Sequence, residues 1–183
     1  LQKISNALAH RGPDGAGVYV DGPAGIIHRR LAIIDPTGGH QPIGNEDGSV
    51  HVTFNGEIYN FRDLQRELES KGHRFRTSSD TEVIVHAWEE WGADCVLRLR
   101  GMFAFAIWDS RHQTLFLARD RVGIKPLVYT VQKDFLAFAS EIQGLTSLSE
   151  LNLTTSVAAI DLYLHYQYIF FPYTIYSEIC KLP

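Results

Sequence analysis

Three positions carry side chains that could work together if the fold brings them to one place. Asn55-Gly56 puts a side-chain amide and a backbone N–H next to each other, two donors suited to a developing oxyanion. The same dipeptide is a strong type I′ hairpin signal, and by local rules the turn competes with the donor pair. Against the turn stands the continuation, because residues 57–60 run into a helix start and leave no long return strand. Arg30 and Asp80 complement the amide. A guanidinium clamps a carboxylate and an aspartate holds an ammonium, which is the charge layout for a free amino acid. Each has an ordinary reading too: Arg30 as a solvated residue on a strand, Asp80 as an acid in the first turn of a helix, favoured there by ~0.3–1 kcal/mol. Spacing in sequence leaves open whether they meet.

Other motifs read as structural or are lacking. His10-Arg11-Gly12-Pro13-Asp14-Gly15 compresses a helix stop, a rigid φ and a permissive one into six residues, the composition of a turn. Arg119 and Asp120 open a charged loop between strands, a salt-bridged corner by local chemistry, and a structural role is expected for the pair. No GxxxxGK[ST] or SGGxDS-type loop occurs, so no ATP site is expected in these residues. The eight histidines are scattered without ligand spacing, and no metal site is expected. Cys95 and Cys180 have neither metal-ligand spacing nor a disulfide framework and read as reduced thiols.

The elements that must position these groups follow from periodicity. Residues 1–10 repeat apolar side chains at helical spacing, with Leu1, Ile4 and Leu8 on one side. Two short apolar runs, 17–20 and 25–28, flank Asp21-Gly22-Pro23 as a hairpin, and a strand through 31–34 ends at Asp35-Pro36. Residues 37–49 are a Gly-rich loop, and 50–54 is a strand. Asn60 is the expected cap of a helix carrying Phe61, Leu64 and Leu68, stopped by Gly72. Ser79 and Glu82 have capping-box spacing before a second helix closed by Gly92. In residues 102–108 both faces are apolar, so this strand is covered on two sides. Strands follow at 115–118 and 136–139, and an aromatic-rich helix at 157–168. Runs of strands, then helices, then strands predict a layered α+β architecture with a boundary near residue 150.

Composition narrows the function classes. Of 183 residues, 45% are hydrophobic and 21% charged, enough for an independent core. A net charge of -4 offers no general attraction to nucleic acid or anionic membrane. No apolar run approaches the roughly 20 residues of a membrane span, and no signal peptide opens the chain, so a cytoplasmic protein is expected. An opening at Leu1 inside a helix and a stop after an apolar stretch read as truncation at both ends.

Taken in order, these segments resemble the glutamine amidotransferase domain of glutamine-hydrolysing asparagine synthetases. The resemblance rests on residues 10–14 and 28–35, Gln41-Pro42, and residues 54–60, 79–83, 101–109, 119–126 and 139–142. It implies an N-terminal nucleophile hydrolase fold, a four-layer αββα sandwich of antiparallel sheets. In that family an N-terminal cysteine attacks the side-chain amide of glutamine, its own α-amine takes the proton, ammonia leaves, and the thioester is hydrolysed to glutamate. By position, the resemblance implies that Arg30 holds the α-carboxylate and Asp80 the α-amine. Asn55 and Gly56 would hold the oxyanion, with Glu57 lining the pocket. It also implies that residues 1–150 form the glutaminase domain and that 151–183 lead into a synthetase domain, where ATP and Mg2+ would serve conversion of aspartate to asparagine. The expected partners are glutamine, that synthetase domain and a second copy in a homodimer. The nucleophilic cysteine is expected upstream of Leu1, so the chain alone should be inactive. Two alternatives remain: an amidotransferase serving a different acceptor, and a non-catalytic glutamine-binding module.

Overall fold

The computed structural model describes residues 1–31 and 39–183. Apart from Leu31, the strand expected at 31–34 and its Asp35-Pro36 stop lie outside the described residues.

Helix α1 (Gln2–Ala7) leads into the expected hairpin, β1 (Gly15–Asp21) and β2 (Ala24–Arg30), which pair antiparallel about Gly22 and Pro23. Four strands form the largest sheet: β3 (Ile43–Gly44), β4 (Val50–Ile58), β5 (Gly101–Asp109) and β6 (Thr114–Arg119), in that order and all antiparallel. Between β4 and β5 the chain makes α2 (Phe61–Ser70), α3 (Glu82–Trp91) and the short α4 (Cys95–Arg98). After β6 come β7 (Val128–Val131), β8 (Leu136–Ala139), α5 (Ile142–Thr146), α6 (Val157–Tyr166) and β9 (Cys180–Lys181). The last strand returns to pair with β7, giving a second antiparallel sheet in the order β8-β7-β9.

Side-chain alternation along β4 and β5 creates two faces. Val50, Val52, Phe54 and Ile58 on β4, with Phe103, Phe105 and Ile107 on β5, bury one face against Leu64 and Leu68 of α2 and Val83 and Ile84 of α3. A second core joins Ile4 and Leu8, Val128, Ala139, Leu145 of α5, and Ile179 just before β9. Helices α2 and α3, the large sheet, the small sheet, and helices α1 and α5 thus form four successive layers. Residues beyond 150 contribute to this body: Ile179 is 1% exposed, and β9 completes the small sheet.

Several local expectations change. Asn55-Gly56 is no hairpin turn, because both residues lie inside β4 and pair with Ala104 and Phe103. The long run 101–109 offers β4 a partner on the far side of the helical segment α2–α4, and that pairing overrides the local turn preference. Asn60 is the N-cap residue of α2 as expected, but its side chain makes no capping hydrogen bond to the helix. Its amide donates to the Arg98 carbonyl (3.0 Å) and accepts from the Arg100 N–H (2.9 Å), tying the helix start to the entry of β5. The Ser79/Glu82 box does not form either. Glu82 turns back to accept from the backbone N–H groups of Arg76 (2.8 Å) and Thr77 (2.7 Å), while Ser79 Oγ accepts from the Thr81 N–H (3.2 Å). Arg119 and Asp120 do not bridge each other. Asp120 accepts from the N–H groups of Phe103, Ile124 and Lys125, and Arg119 donates to the carbonyls of Gly123, Lys125 and Leu182. They brace the corner through the backbone, in keeping with a structural role.

Candidate active site

A cavity of about 690 Å3 opens between the two larger sheets, lined on one side by β4 and β5 and on the other by β8. Its existence follows from residue size. Large residues 103, 105 and 107 face the helices, so the small Ala104 and Ala106 face the cavity and leave it room. Arg30, Asn55, Gly56, Glu57 and Asp80 all line this cavity.

Four separate stretches deliver these groups. Arg30 ends β2, where it is 8% exposed, and the turn at 12–14 packs directly on it. The Asp14 N–H donates to the Arg30 carbonyl (3.0 Å), and a Cβ at Gly12 would meet the Arg29 carbonyl carbon at 2.3 Å, so only glycine admits this approach. His10 and Arg11 anchor the preceding residues to Glu141 at the start of α5 (3.1 and 2.5 Å). The motif at 10–15 is therefore a brace for Arg30.

Backbone groups of successive residues along a strand face opposite edges, so those of alternate residues share one. On β4 the N–H of Phe54 donates to Gln41 Oε1 (2.7 Å) and that of Ile58 to Asp80 Oδ2 (2.8 Å), both on the edge away from β5. Gly56 lies midway with the same parity, so its N–H faces that edge too, between the groups held by Gln41 and Asp80. The Asn55 side chain projects from the same point of the strand, and its buried Nδ2 finds no hydrogen-bond partner among the described residues. Leaving a buried amide donor unsatisfied costs about 1–3 kcal/mol. Asn55 Nδ2 and the Gly56 N–H are thus two donors at adjacent positions beside the cavity.

Asp80 precedes α3 by two residues rather than sitting in its first turn. Burial pushes its carboxyl above the ordinary range and the nearby Glu57 adds to this, while the Ile58 N–H pulls the other way. Two carboxylates at one end of a cavity attract a cation. At the opposite charge, Arg30 neighbours His28, whose pKa falls to about 4 through burial first and the Arg30 charge second. His28 therefore stays neutral and makes a 3.1 Å hydrogen bond with Thr53 Oγ1. The cavity combines a buried cation, two acids and an unsatisfied amide.

Neither thiol belongs to it. Cys95 in α4 is buried in the helix layer, where desolvation pushes its pKa up to about 12, and neither it nor Cys180 of β9 lines the cavity. Leu1 does line it. Residue-by-residue reading passed over Gln41 and Thr81, which meet each other (3.4 Å) and fasten β4 to the segment carrying Asp80. The Pro42 that follows Gln41 and the polar run 78–82 were the available signals. The reading of the histidines as scattered is also corrected: His73 and His86 converge with Glu46 and Glu89, ligand atoms within 4.8 Å of one another. These four residues come from a loop, an interhelical segment and a helix, a convergence that linear spacing does not display.

Comparison with known proteins agrees with this geometry. The family model described as "Glutamine amidotransferase domain" matches residues 1–183. Asparagine synthetase [glutamine-hydrolyzing] 2 of Bacillus subtilis (strain 168) is 49% identical over 147 residues, covering 80% of this chain and 19% of that protein. Asparagine synthetase [glutamine-hydrolyzing] 1 of the same organism is 39% identical over 182 residues, 100% of this chain and 29% of its own length. The Arabidopsis thaliana asparagine synthetase [glutamine-hydrolyzing] 1 is 45% identical over 144 residues, covering 78% of this chain and 24% of that protein. The chain thus spans under a third of the length of the curated relatives it matches. Among solved structures, the glutamine phosphoribosylpyrophosphate amidotransferase from B. subtilis superposes with a TM-score of 0.64 at 26% identity, covering 79% of this chain and 39% of that one.

Proposed function

Because the chain belongs to the glutamine amidotransferase domain family and has the N-terminal nucleophile hydrolase fold, we propose that its cavity binds glutamine and directs hydrolysis of the side-chain amide. The observation that carries the reading is the pair of donors at Asn55 and Gly56, one of them a buried amide without a partner among the described residues, in the same cavity as a buried guanidinium and two acids. In this assignment Arg30 takes the α-carboxylate of glutamine through charge-assisted hydrogen bonds, and Asp80 takes the α-ammonium, with Glu57 beside it. An ammonium between the two acids relieves their mutual repulsion. The amide carbonyl then lies toward Asn55 Nδ2 and the Gly56 N–H.

Attack by a thiolate on that carbonyl carbon would place negative charge on the oxygen, where the two donors stabilise it more strongly than they do the ground-state carbonyl. Breaking the C–N bond releases ammonia and leaves a thioester, and water converts the thioester to glutamate and regenerates the thiol. The net reaction is glutamine plus water to glutamate plus ammonia. Since neither cysteine of the chain lines the cavity, we assign the nucleophile to a residue on the N-terminal side of Leu1, whose side chain does line it.

The parent activity belongs to the same proposal. Identities of 39–49% to asparagine synthetases support ammonia delivery to a synthetase domain, where ATP and Mg2+ would activate aspartate. In this scheme 1–150 are the glutaminase domain and 151–183 the passage to the synthetase domain, a passage whose final strand is part of the small sheet.

The test is Asn55→Ala in the intact parent protein, measured as glutamate release. Losing one oxyanion donor should lower kcat by about 3 kcal/mol of transition-state stabilisation, a factor of roughly a hundred or more. A fall of about threefold or less would remove the assigned role.

A further inference from the structure

On the outer side of the large sheet lies a second cluster of chemistry-bearing groups, none of which lines the glutamine cavity. His86 and Glu89 project from one face of α3, His73 follows α2, and Glu46 follows β3. His86 Nδ1 lies 3.3 Å from Glu89 Oε2 and 3.6 Å from Glu46 Oε2, and His73 Nδ1 lies 3.8 Å from Glu89 Oε2. A tetrahedral ion with bonds of about 2.0–2.2 Å has ligand-to-ligand edges of roughly 3.3–3.6 Å. These three of the six separations sit at or just beyond that range and all six lie within 4.8 Å, so side-chain movements of about an ångström would close the set on an ion. We propose that Glu46, His73, His86 and Glu89 form a structural site for a divalent transition cation of the zinc type.

Three features distinguish this cluster from a chance meeting of surface acids. The first is the orientation of the carboxylates. Glu89 Oε1 is held by Asn45 Nδ2 (2.7 Å) and Arg111 (3.1 Å), and Glu46 Oε1 by the Arg74 N–H (2.8 Å), which leaves the Oε2 atom of each facing the histidines. The second is the far side of the imidazoles. His86 Nε2, buried and without a hydrogen-bond partner among the described residues, faces Glu82 Oε1 at 3.6 Å, and His73 Nε2 faces Glu90 Oε2 at 3.7 Å. A carboxylate behind each ligating histidine is the arrangement that fixes ring orientation at metal sites. Those carboxylates are themselves held, Glu82 by the N–H groups of Arg76 and Thr77 and Glu90 by Lys71 (2.6 Å). The third is charge. Four carboxylates surround the two imidazoles and, against the cost of burial, Glu82, Glu89 and Glu46 lift the His86 pKa to about 9. Lys71 and Arg111 contact two of the acids, and a dication would take the place of the proton that His86 holds among them. Two nitrogen and two oxygen ligands favour zinc-like ions over magnesium, which prefers octahedral oxygen and retains water.

Bound there, the ion would join the β3–β4 loop and the interhelical segment to α3, the helix that follows Asp80. Its role is to hold the glutamine cavity's outer wall, and the site stands even if the cavity takes another substrate. Zinc chloride alone is the probe. The intact protein is stripped with chelator, then titrated calorimetrically and assayed for metal content. Glu46→Gln and His73→Gln, both at positions not fully buried, are the comparison variants. The expected result is one more zinc equivalent in the parent than in either variant, or at least tenfold weaker binding in both, roughly the scale of disturbing a metal site. A zinc-dependent rise in melting temperature should appear in the parent and shrink in both. No zinc bound, equal binding by parent and variants, or preference for magnesium would overturn the proposal.

Discussion

At the scale of single residues, the site gathers groups that burial places under strain of charge or hydrogen bonding. Asn55 buries an amide donor with no partner among the described residues, Asp80 carries a raised pKa beside Glu57, and Arg30 sits 8% exposed next to a histidine. His28 registers that last strain. Its pKa drops from 6.5 to about 4 on folding, because burial and the Arg30 charge both oppose protonation. The unfolded chain therefore binds the proton more readily in this window. The stability contributed by neutral His28 is complete above about pH 6.5 and is lost as pH falls toward about 4, by at most about 3 kcal/mol. Urea unfolding across that range should show a shallower acid loss for His28→Gln than for the parent. Equal slopes would mean that His28 does not carry the effect.

At the scale of elements, β4 organises the chemistry, and it is the element whose local signals misled most. Asn55-Gly56 has turn chemistry, yet the register with 101–109 makes it strand. The reason lies in close approach: a Cβ at Gly56 would meet the Met102 carbonyl oxygen at 2.1 Å and Phe103 Cα at 2.8 Å. Glycine is required there by the neighbouring strand, a contact some 46 positions away that no local rule contains. Gly56→Ala should push β4 off β5, costing about 1–3 kcal/mol of stability and displacing the N–H that faces the cavity. Denaturant melts and glutamate release should both fall. Unchanged kcat in a folded Gly56→Ala protein would exclude the N–H from the reaction. Elements with strong periodicity, α2, α3, β5 and the β1–β2 hairpin, were legible. The short β3, β7 and β9 were not, since two to four residues supply too little pattern and exist through pairing. The capping box failed because Glu82 finds better donors in the loop behind it than at the helix start.

At the scale of the whole molecule, the layered architecture was readable from the succession of strand and helix runs, and the identity of the groups around the cavity from the order of the motifs. Their convergence was not, because Arg30, Asn55 and Asp80 come from different layers and meet only after two sheets stack. The cluster of Glu46, His73, His86 and Glu89 escaped for the same reason. Neither cysteine lines the cavity, and the proposed reaction needs a thiol there. A protein consisting of these residues alone is expected to release no glutamate from glutamine, whereas the intact parent protein should do so. Activity in the short form would require a nucleophile other than cysteine.

The central claim is that one cavity recognises glutamine by both of its α-substituents, and the sharpest test compares two substrates in one variant. Glutamine and 4-aminobutanamide share the scissile amide, but only glutamine has the α-carboxylate assigned to Arg30. Arg30→Leu in the intact protein should lower kcat/KM for glutamine by roughly a hundredfold, the scale of one hydrogen-bonded charge contact, and leave the slower reaction of 4-aminobutanamide nearly unchanged. Equal losses for the two substrates would contradict the assignment, since a contact made only with the carboxylate cannot affect a substrate that lacks it.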